Sequence, residues 1–295
     1  MRVLVSGASG CFARALLPAL CAHPGVESVT GLDTRAPPFE HSKLRAARLD
    51  LTDASLPEVV AGHDALIHLP PFASPRRALP VTTADAAVRP AHKLFHTAWA
   101  AGVHRLIHMS TAAVYGEAVH AGEQAPAHPL PGFAYAEQQA HLEQLLAIDF
   151  PQCVRLRPHL IVGPHAHPAI RRILGQPFYP RAPGPPALFQ CVHEDDLAAA
   201  VLLCLNADAR GAYNIATEDS FSLRDALRAR HGLAIGLAPS TAEKTFEWGS
   251  RLLRLDLERA WVERASHTLL VNCRRALIDL GWRRAYTAVQ ALAAT

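Results

Sequence analysis

A glycine-rich turn near the start of the chain could bind phosphate. The spacing Gly7-x-x-Gly10-x-x-Ala13 follows an apolar run, Val3-Leu4-Val5, and opens a predicted helix. Side chains at the two glycines would keep backbone N–H groups away from a pyrophosphate at the helix N-terminus, and Ala13 is small enough for close helix–strand packing. A dinucleotide site is therefore predicted, with an ordinary tight turn as the alternative. The predicted cofactor-binding residues of this turn are Gly7, Ser9, Gly10, Cys11 and Phe12.

Two acids at the ends of predicted strands favour NAD over NADP. Asp33 stands where a carboxylate can accept hydrogen bonds from both hydroxyls of the adenosine ribose and would repel a 2′-phosphate. Arg35 argues in the opposite direction, so NADP is the less favoured alternative. Asp50 has two equal interpretations, a contact with the adenine edge or a cap before Thr52. Beyond the turn, the cofactor contacts predicted in this part of the chain are Asp33, Asp50, Leu51 and Leu69.

The order of predicted elements indicates the fold class. Continuous apolar runs such as 65–69 alternate with amphipathic helices such as 84–101 and 134–148, the pattern of a parallel sheet covered on both faces. We therefore predict an α/β fold with a doubly wound parallel sheet, Rossmann-like, and a smaller C-terminal substrate lobe. Segment 177–186 contains five prolines and is expected to be a loop. The expected dinucleotide-binding domain comprises residues 1–163 and 188–217, and the expected lobe comprises 164–187 and 218–295.

Composition and charge argue against several classes of protein. Half of the residues are apolar, 19% are charged and the net charge is +3, which gives no case for nucleic-acid binding. No run of about 18 apolar residues occurs, so no membrane-spanning helix is expected. The six cysteines show no paired spacing, which favours reduced thiols and a cytoplasmic location. Residues 1–22 superficially resemble a secretory signal, but a strand–turn–helix unit explains the interruptions by glycine and proline.

Seventeen histidines raise the question of a metal site. His92 and His96 lie one turn apart on a predicted helix, and His165-x-His167 lies in a predicted loop. Neither pair has a carboxylate or cysteine at ligand spacing, so no metal is predicted. His104 and His108 flank a predicted strand, and one of them is expected to pack internally.

Several further segments follow the pattern of one protein family. They are 68–69, 101–103, 110–116, 163–164, 192–197, 213–216 and 276–283. Together with the glycine turn, they are similar to the extended short-chain dehydrogenases/reductases, in particular the NAD-dependent epimerase/dehydratase group acting on nucleotide sugars. The resemblance implies an NAD-dependent enzyme with a small-molecule substrate such as a nucleotide sugar. It also implies a homodimer that pairs through the two long helices.

The same resemblance implies an active site built on Thr111 and Tyr135. Thr111 matches the family's catalytic serine or threonine, whose hydroxyl hydrogen-bonds the reacting oxygen. Tyr135 matches the catalytic tyrosine, which exchanges a proton with the substrate while hydride moves to or from C4 of nicotinamide. The structural alternatives are a hydroxyl bonded to local backbone for Thr111 and a packed helix residue for Tyr135. The implied substrate contacts are Pro71, Tyr115, His159 and Arg181.

Position 139 departs from the family pattern. Gln139 stands where the family has a lysine, one helical turn after Tyr135. That lysine holds the nicotinamide ribose and lowers the tyrosine pKa. A unit charge about 4 Å away is worth about 4 kcal/mol at an effective dielectric of about 20, or about three pKa units. Glutamine, like Tyr135 an implied cofactor contact, can bond the ribose but carries no charge. Ala87 also replaces an asparagine, and Pro70-Pro71 replaces two alanines.

Two functions remain open. The first is an NAD-dependent epimerase, dehydratase or reductase acting on a nucleotide sugar or a similar polar carbonyl or alcohol. The second is a catalytically impaired NAD(P)-binding sensor or assembly protein, which Gln139 and Ala87 favour. An enzyme that uses a different base is a third interpretation. The first is preferred because Thr111, Tyr115 and the substrate-lobe pattern are retained.

Overall fold

The computed structural model describes residues 1–71, 84–180, 184–206, 208–237 and 266–295. The strands, in chain order, are β1 Arg2–Ser6, β2 Ser28–Asp33, β3 Leu44–Arg48, β4 Ala65–His68, β5 Arg105–Met109, β6 Ala118–Ala121, β7 Val154–Pro158, β8 Leu160–Val162, β9 Phe178–Pro180, β10 Leu188–Phe189, β11 Cys191–His193, β12 Gly211–Ile215, β13 Phe221–Ser222, β14 Ile235–Leu237 and β15 Leu269–Val271. The helices are α1 Ala13–Ala22, α2 Leu56–Val60, α3 Ala84–Ala100, α4 Ala134–Asp149, α5 Pro168–Leu174, α6 Glu194–Asn206, α7 Leu223–His231, α8 Arg274–Asp279 and α9 Ala288–Ala293. No helix among the described residues is long and apolar enough to cross a bilayer.

A seven-stranded parallel sheet forms the centre of the fold. Its strand order is β3-β2-β1-β4-β5-β7-β12. Every neighbouring pair runs parallel. The chain winds outward in one direction from β1 to β3 and in the other from β4 to β12, so the sheet is doubly wound and switches direction between β1 and β4. The predicted Rossmann-like α/β fold class is confirmed.

Helices cover both faces of this sheet because alternate strand residues point to opposite sides. Val3 and Val5 of β1 pack with α1 and α6 on one face. Leu4 lies between them in sequence and packs with α2, α3 and α4 on the other face. All three side chains are fully buried. Burial on both faces explains why the strand is apolar at consecutive positions.

A separate apolar cluster lies in the segments expected to form the lobe. It joins α5, α7 and α9 and includes Leu227 and Ala291, which are fully buried. The β8–β11 pair borders the same cluster through Val162 and Cys191. The cluster gives the lobe a core of its own, while the domain boundaries remain predictions.

Two local expectations differ from the structure. Asp50, expected at the end of a strand, instead follows β3 (Leu44–Arg48) by two residues. The expectation of a loop throughout 177–186 is wrong at Phe178–Pro180, because β9 pairs in parallel with β14. Proline is tolerated there because β9 ends at Pro180, where a missing N–H costs the ladder least. Just past α3, Gly102 has φ +84°, the left-handed conformation that glycine adopts readily.

Candidate active site

A cavity of about 690 Å³ opens at the carboxyl ends of the central strands. Its wall includes Asp33 at the end of β2, Leu69 after β4 and Thr111 after β5. The lobe closes the other side through α5 and the start of α7. In open α/β sheets, this edge beside the topological switch is where ligands bind.

The glycine turn forms one end of this cavity, and its two glycines keep side chains away from the closely approaching backbone. Gly7 has φ +77°, and a Cβ added there would lie 2.0 Å from the carbonyl oxygen of Leu69. A Cβ on Gly10 would lie 3.1 Å from the carbonyl oxygen of Gly7. Phe12, at the N-terminus of α1, makes no side-chain capping hydrogen bond. The turn therefore fits a group that needs uncapped N–H donors at a helix N-terminus, as a pyrophosphate does.

Gly7→Ala should destabilise the fold by about 2–4 kcal/mol, because a backbone clash adds to left-handed strain. Gly102→Ala is the matched control, since Gly102 also has positive φ but has nothing within 4 Å of its added Cβ. We expect that control to cost only about 1 kcal/mol, the strain alone. Urea unfolding of both variants measures the difference. If both variants lost the same unfolding free energy, the clash between the added Cβ and the Leu69 carbonyl oxygen would be relieved at no cost, and the prediction would be wrong.

Asp33 presents an ionised carboxylate to the cavity. Its Oδ2 accepts hydrogen bonds from the backbone N (3.0 Å) and Oγ (2.7 Å) of Ser9. Burial by itself would raise the pKa of Asp33, but the hydrogen bonds from Ser9, Arg35 N and Thr34 outweigh it and hold the pKa below its usual value. The Arg35 guanidinium donates to Ser9 Oγ at 3.1 Å and also lines the cavity. A carboxylate and a guanidinium therefore stand together where the adenosine ribose is predicted.

Asp50 shows features of both of its predicted roles. Its Oδ1 accepts hydrogen bonds from Thr52 N at 2.9 Å and Thr52 Oγ1 at 2.6 Å, so it caps the local turn. It also lines the cavity together with Leu51. The adenine contact remains a prediction.

Thr111 and Tyr135 meet on the cavity wall. The Thr111 hydroxyl caps the short 3₁₀ helix Ala112–Tyr115 by accepting a hydrogen bond from Ala113 N at 3.2 Å. Burial raises the pKa of Tyr135, and a hydrogen bond with Thr111 opposes that rise. Neither influence is a cation. The pair shares a hydrogen bond suited to proton exchange, but no positive charge among the described residues lowers the Tyr135 pKa.

Gln139 lies behind this wall. It is buried, with 5% of its surface exposed, and is absent from the cavity lining. Its side chain makes a polar contact with His108. Its Oε1 has no hydrogen-bond partner among the described residues. The structure thus places Gln139 beside β5 rather than in the open cavity, with one acceptor oxygen unsatisfied.

A buried polar row crosses the sheet beneath Gln139. Ser6, His68, His108 and Arg155 are register partners on four neighbouring strands. Ser6 Oγ and His68 Nδ1 share a hydrogen bond of 2.7 Å, and the His68 and His108 rings stack at 5.5 Å. Burial lowers the pKa of each of these histidines to about 3, so both are neutral at pH 7. An internal histidine was expected at position 104 or 108, and His108 is fully buried, but the row itself was not predicted.

Two polar atoms of the cavity-lining residues have no partner among the described residues. They are His68 Nε2 and Ser110 Oγ. Buried polar groups are normally hydrogen-bonded, so such atoms suit a bound ligand or water. Ser110 was not among the predicted site residues, although it immediately precedes Thr111 in segment 110–116.

Only some of the expected substrate contacts lie on the cavity wall. Pro71 and His159 line the cavity. His159 donates from Nε2 to the carbonyl oxygen of Leu269 at 2.9 Å, and its Nδ1 accepts from Leu160 N. Arg181 lies outside the described residues.

Tyr115 is in the core and off the cavity wall. Only 3% of its surface is exposed, and its hydroxyl donates to Asn214 Oδ1 at 2.8 Å. The same hydroxyl accepts a hydrogen bond from Arg157 at 2.6 Å. Arg157 is also paired with buried Glu143 of α4, with Nε 2.9 Å from Oε1. The Tyr115 hydroxyl is therefore used inside the protein, next to the Arg157–Glu143 pair that links β7 to α4, and its role as a substrate contact remains a prediction.

The acids at the start of α6 differ in role. The helix begins at Glu194, and its first turn is acidic as expected for a positive helix end. The Glu194 carboxylate accepts hydrogen bonds from His165 N and pairs with His165 Nδ1 at 2.7 Å. Asp196 instead accepts hydrogen bonds from Ala285 N and Tyr286 N. Both acids are therefore used to connect α6 to neighbouring segments.

These features define a class of protein, a dinucleotide-binding α/β fold with a tyrosine–threonine pair at the ligand edge of its sheet. The chain belongs to the NAD dependent epimerase/dehydratase family, whose sequence model matches residues 3–216. The family resemblance inferred from the sequence is thereby confirmed.

Solved structures of similar fold agree with this membership. MoeE5 in complex with UDP-glucuronic acid and NAD is 22% identical, with 100% of this chain and 97% of that chain covered and a TM-score of 0.76. UDP-glucuronic acid 4-epimerase from Bacillus cereus in complex with NAD is 18% identical, with coverage of 100% and 97% and a TM-score of 0.75. DesIV, a dTDP-glucose 4,6-dehydratase from Streptomyces venezuelae, is 22% identical, with coverage of 99% and 95% and a TM-score of 0.72. No curated protein sequence matches this one.

Proposed function

We propose that this protein is an NAD-dependent oxidoreductase of the epimerase/dehydratase type, acting on a nucleotide sugar or a similar polar carbonyl or alcohol. The observation that carries the proposal is the hydrogen-bonded pair of Thr111 and Tyr135 on the wall of the cavity that also contains the glycine turn. Family membership supports the reaction class. The structures of similar fold were solved with NAD and sugar nucleotides, which supports the substrate class.

Some cavity residues are assigned to cofactor binding and others to the reaction. The N–H groups around Gly10 would hold the pyrophosphate, and Asp33 the adenosine ribose. Bound NAD supplies a hydride acceptor or donor. Tyr135 holds or releases the proton of the reacting oxygen, and Thr111 orients that oxygen through its hydroxyl. Gln139 differs from the family's lysine in that it can offer only hydrogen bonds.

The substrate end of the cavity is mostly apolar. Ile170, Leu174, Phe189 and Leu223 line it together with His167. Arg35, at the cofactor end, is the sole arginine or lysine among the described lining residues. A diphosphate anchor therefore has to come from backbone N–H groups, histidines or residues such as Arg181, and "polar carbonyl or alcohol" is the wider substrate class we propose.

One observation favours the second candidate function, an NAD-binding sensor or assembly protein. The pKa of Tyr135 is raised by burial, and no cation among the described residues opposes it. A tyrosine with a raised pKa is almost entirely protonated at neutral pH, so very little phenolate is present to accept a proton. A protein with this site could retain the cofactor and change conformation or partner without turnover.

Calorimetry and product analysis separate the two candidates. NAD binding is titrated first, and the NAD-loaded protein is then incubated with UDP-glucose and UDP-glucuronic acid, with NMR detection of epimerised or dehydrated sugar. We expect NAD binding and slow conversion of at least one sugar. Binding without conversion of any sugar nucleotide would favour the sensor. No binding of NAD at millimolar concentration would overturn both.

Asp33→Asn should reduce the preference for NAD over NADP by about tenfold. The variant removes the charge that repels a 2′-phosphate, while Arg35 remains in place to attract one. The ratio of the two dissociation constants measures the effect. Asp50→Asn is the control, since Asp50 is bonded to Thr52 and should leave the ratio unchanged. A wild type that already prefers NADP would contradict the assignment of Asp33.

The homodimer and the cytoplasmic location remain predictions. The long helices α3 and α4 pack on each other at the sheet face where the resemblance implies pairing. Trp99 on α3 and Ile148 on α4 are exposed by 41% and 77%. Large apolar side chains of this kind suit a protein–protein contact.

A further inference from the structure

We propose that His92, His96 and Asp149 bind a divalent transition-metal ion of the zinc type on the outer surface of α3 and α4. The two histidines lie one turn apart on α3, and Asp149 is the last residue of α4. One ligand atom from each residue lies within 4.8 Å of the other two. None of the three lines the active-site cavity, so this is a second site.

The carboxylate that the sequence did not supply comes from another helix. Neighbouring residues around the histidine pair contain no ligand at usual spacing, but folding brings in a residue more than 50 positions away. His92 Nε2 lies 2.7 Å from Asp149 Oδ2, and His96 Nε2 lies 3.2 Å from the same oxygen. The two Nε2 atoms are 3.3 Å apart.

These distances suit tetrahedral coordination. Bonds of about 2.0–2.1 Å from zinc to nitrogen and oxygen place neighbouring ligand atoms about 3.3 Å apart. Two of the three observed edges, 3.2 and 3.3 Å, match that value. The third edge, between His92 and Asp149, has to lengthen by about 0.6 Å, which a surface carboxylate achieves by a small rotation.

The ligand chemistry selects the kind of ion. Two imidazoles and one carboxylate suit Zn²⁺, Co²⁺ or Ni²⁺, whereas Mg²⁺ and Ca²⁺ prefer oxygen ligands only. Solvent reaches the cluster, because the side chains of His92, His96 and Asp149 are exposed by 22%, 54% and 33%. Three protein ligands leave one position for water.

Electrostatics at the cluster also favour a cation. The Asp149 Oδ2 atom lies within hydrogen-bond distance of the Nε2 atoms of both His92 and His96. Without metal, two imidazole nitrogens face each other and compete for one oxygen. A bound ion would replace the proton shared by these groups, so that both imidazoles and the carboxylate could coordinate it through a lone pair.

Such an ion would join the middle of α3 to the end of α4. The same α4 carries Tyr135 near its start and the buried Glu143 that pairs with Arg157. Because the cluster is remote from the cavity, the expected effect is on stability rather than on the chemical step. The melting temperature should rise when the metal is added.

Metal titration of the full chain, with any affinity tag removed and prior dialysis against chelator, tests the site. Co²⁺ is the optical probe, and Zn²⁺ is titrated by calorimetry. We expect one ion per chain, visible absorption typical of tetrahedral Co²⁺, and a Zn²⁺-dependent rise in melting temperature. His96→Ala and Asp149→Asn should each weaken Zn²⁺ binding at least tenfold and abolish the rise.

His104→Ala is the matched control. His104 is an exposed histidine just beyond α3 that packs on Trp99 and belongs to no three-ligand group among the described residues. Its removal should leave Zn²⁺ affinity unchanged. Metal-free melting temperatures show that each variant is folded. No saturable binding, or equal weakening by His104→Ala and His96→Ala, would overturn the proposal.

Discussion

Gln139→Lys should raise any oxidoreductase turnover by roughly 10²- to 10³-fold at neutral pH. An ammonium about 4 Å from the Tyr135 hydroxyl would stabilise the phenolate by about 4 kcal/mol, equivalent to about three pKa units. In the wild type, burial raises that pKa and only the hydrogen bond with Thr111 lowers it. Since a nearby cation favours the ionised form, the pH–rate profile for oxidation should move toward acid. Initial rates between pH 6 and 10 measure both effects.

Gln139→Met is the control, because methionine has similar length but brings no charge. It should give no gain in rate. The lysine variant should also be less stable than the wild type, because Arg155 already places one positive charge beside His108. A wild type that is active and is slowed by lysine would contradict the prediction and would mark glutamine as an adaptation.

The sheet and the cofactor turn were predictable because their signals are local. Val3-Leu4-Val5 must be buried on both faces to be apolar throughout, and only a central strand provides that. Gly7 was predictable because a turn this tight excludes a Cβ, which here would meet the Leu69 carbonyl. The position of Asp33 was also predictable, because the lengths of the first strand and of the helix after the glycine turn determine where the second strand ends.

The environment of Gln139 was not predictable because it depends on strand register. His68, His108 and Arg155 are far apart in sequence and become neighbours only through the pairing of β4, β5 and β7. Nothing in the local pattern around Tyr115 distinguished a cavity residue from a core residue either. Its partner Asn214 lies on β12, which joins β7 at the sheet edge.

The same register explains why we expect a change at Gln139 to have so large an effect. The polar row beneath α4 contains two histidines that burial keeps neutral, so neither supplies positive charge. Arg155 is charged, but it lies beside His108 and near Glu143, at 3.8 Å. Among the described residues, the influences on the Tyr135 pKa are burial and the hydrogen bond with Thr111, and neither is a cation.

Tyr135→Phe should lower turnover by about 10²- to 10⁴-fold, the usual contribution of a positioned acid or base. NAD affinity should change little, because the glycine turn and Asp33 are untouched. Tyr115→Phe is the matched control, since it removes a hydroxyl that is bonded to Arg157 and Asn214 and lies off the cavity wall. That control should cost about 1–3 kcal/mol of stability while the rate per folded molecule persists.

The dependence of the rate on pH distinguishes Tyr135→Phe from Tyr115→Phe. Because burial raises the pKa of Tyr135 above its usual value, the ionised fraction and hence the oxidation rate should climb with pH across the whole neutral and mildly alkaline range. Tyr135→Phe should abolish that climb, and Tyr115→Phe should retain it. A rate that stays flat with pH in the wild type, or that survives the loss of the Tyr135 hydroxyl, would assign the proton transfer to another group.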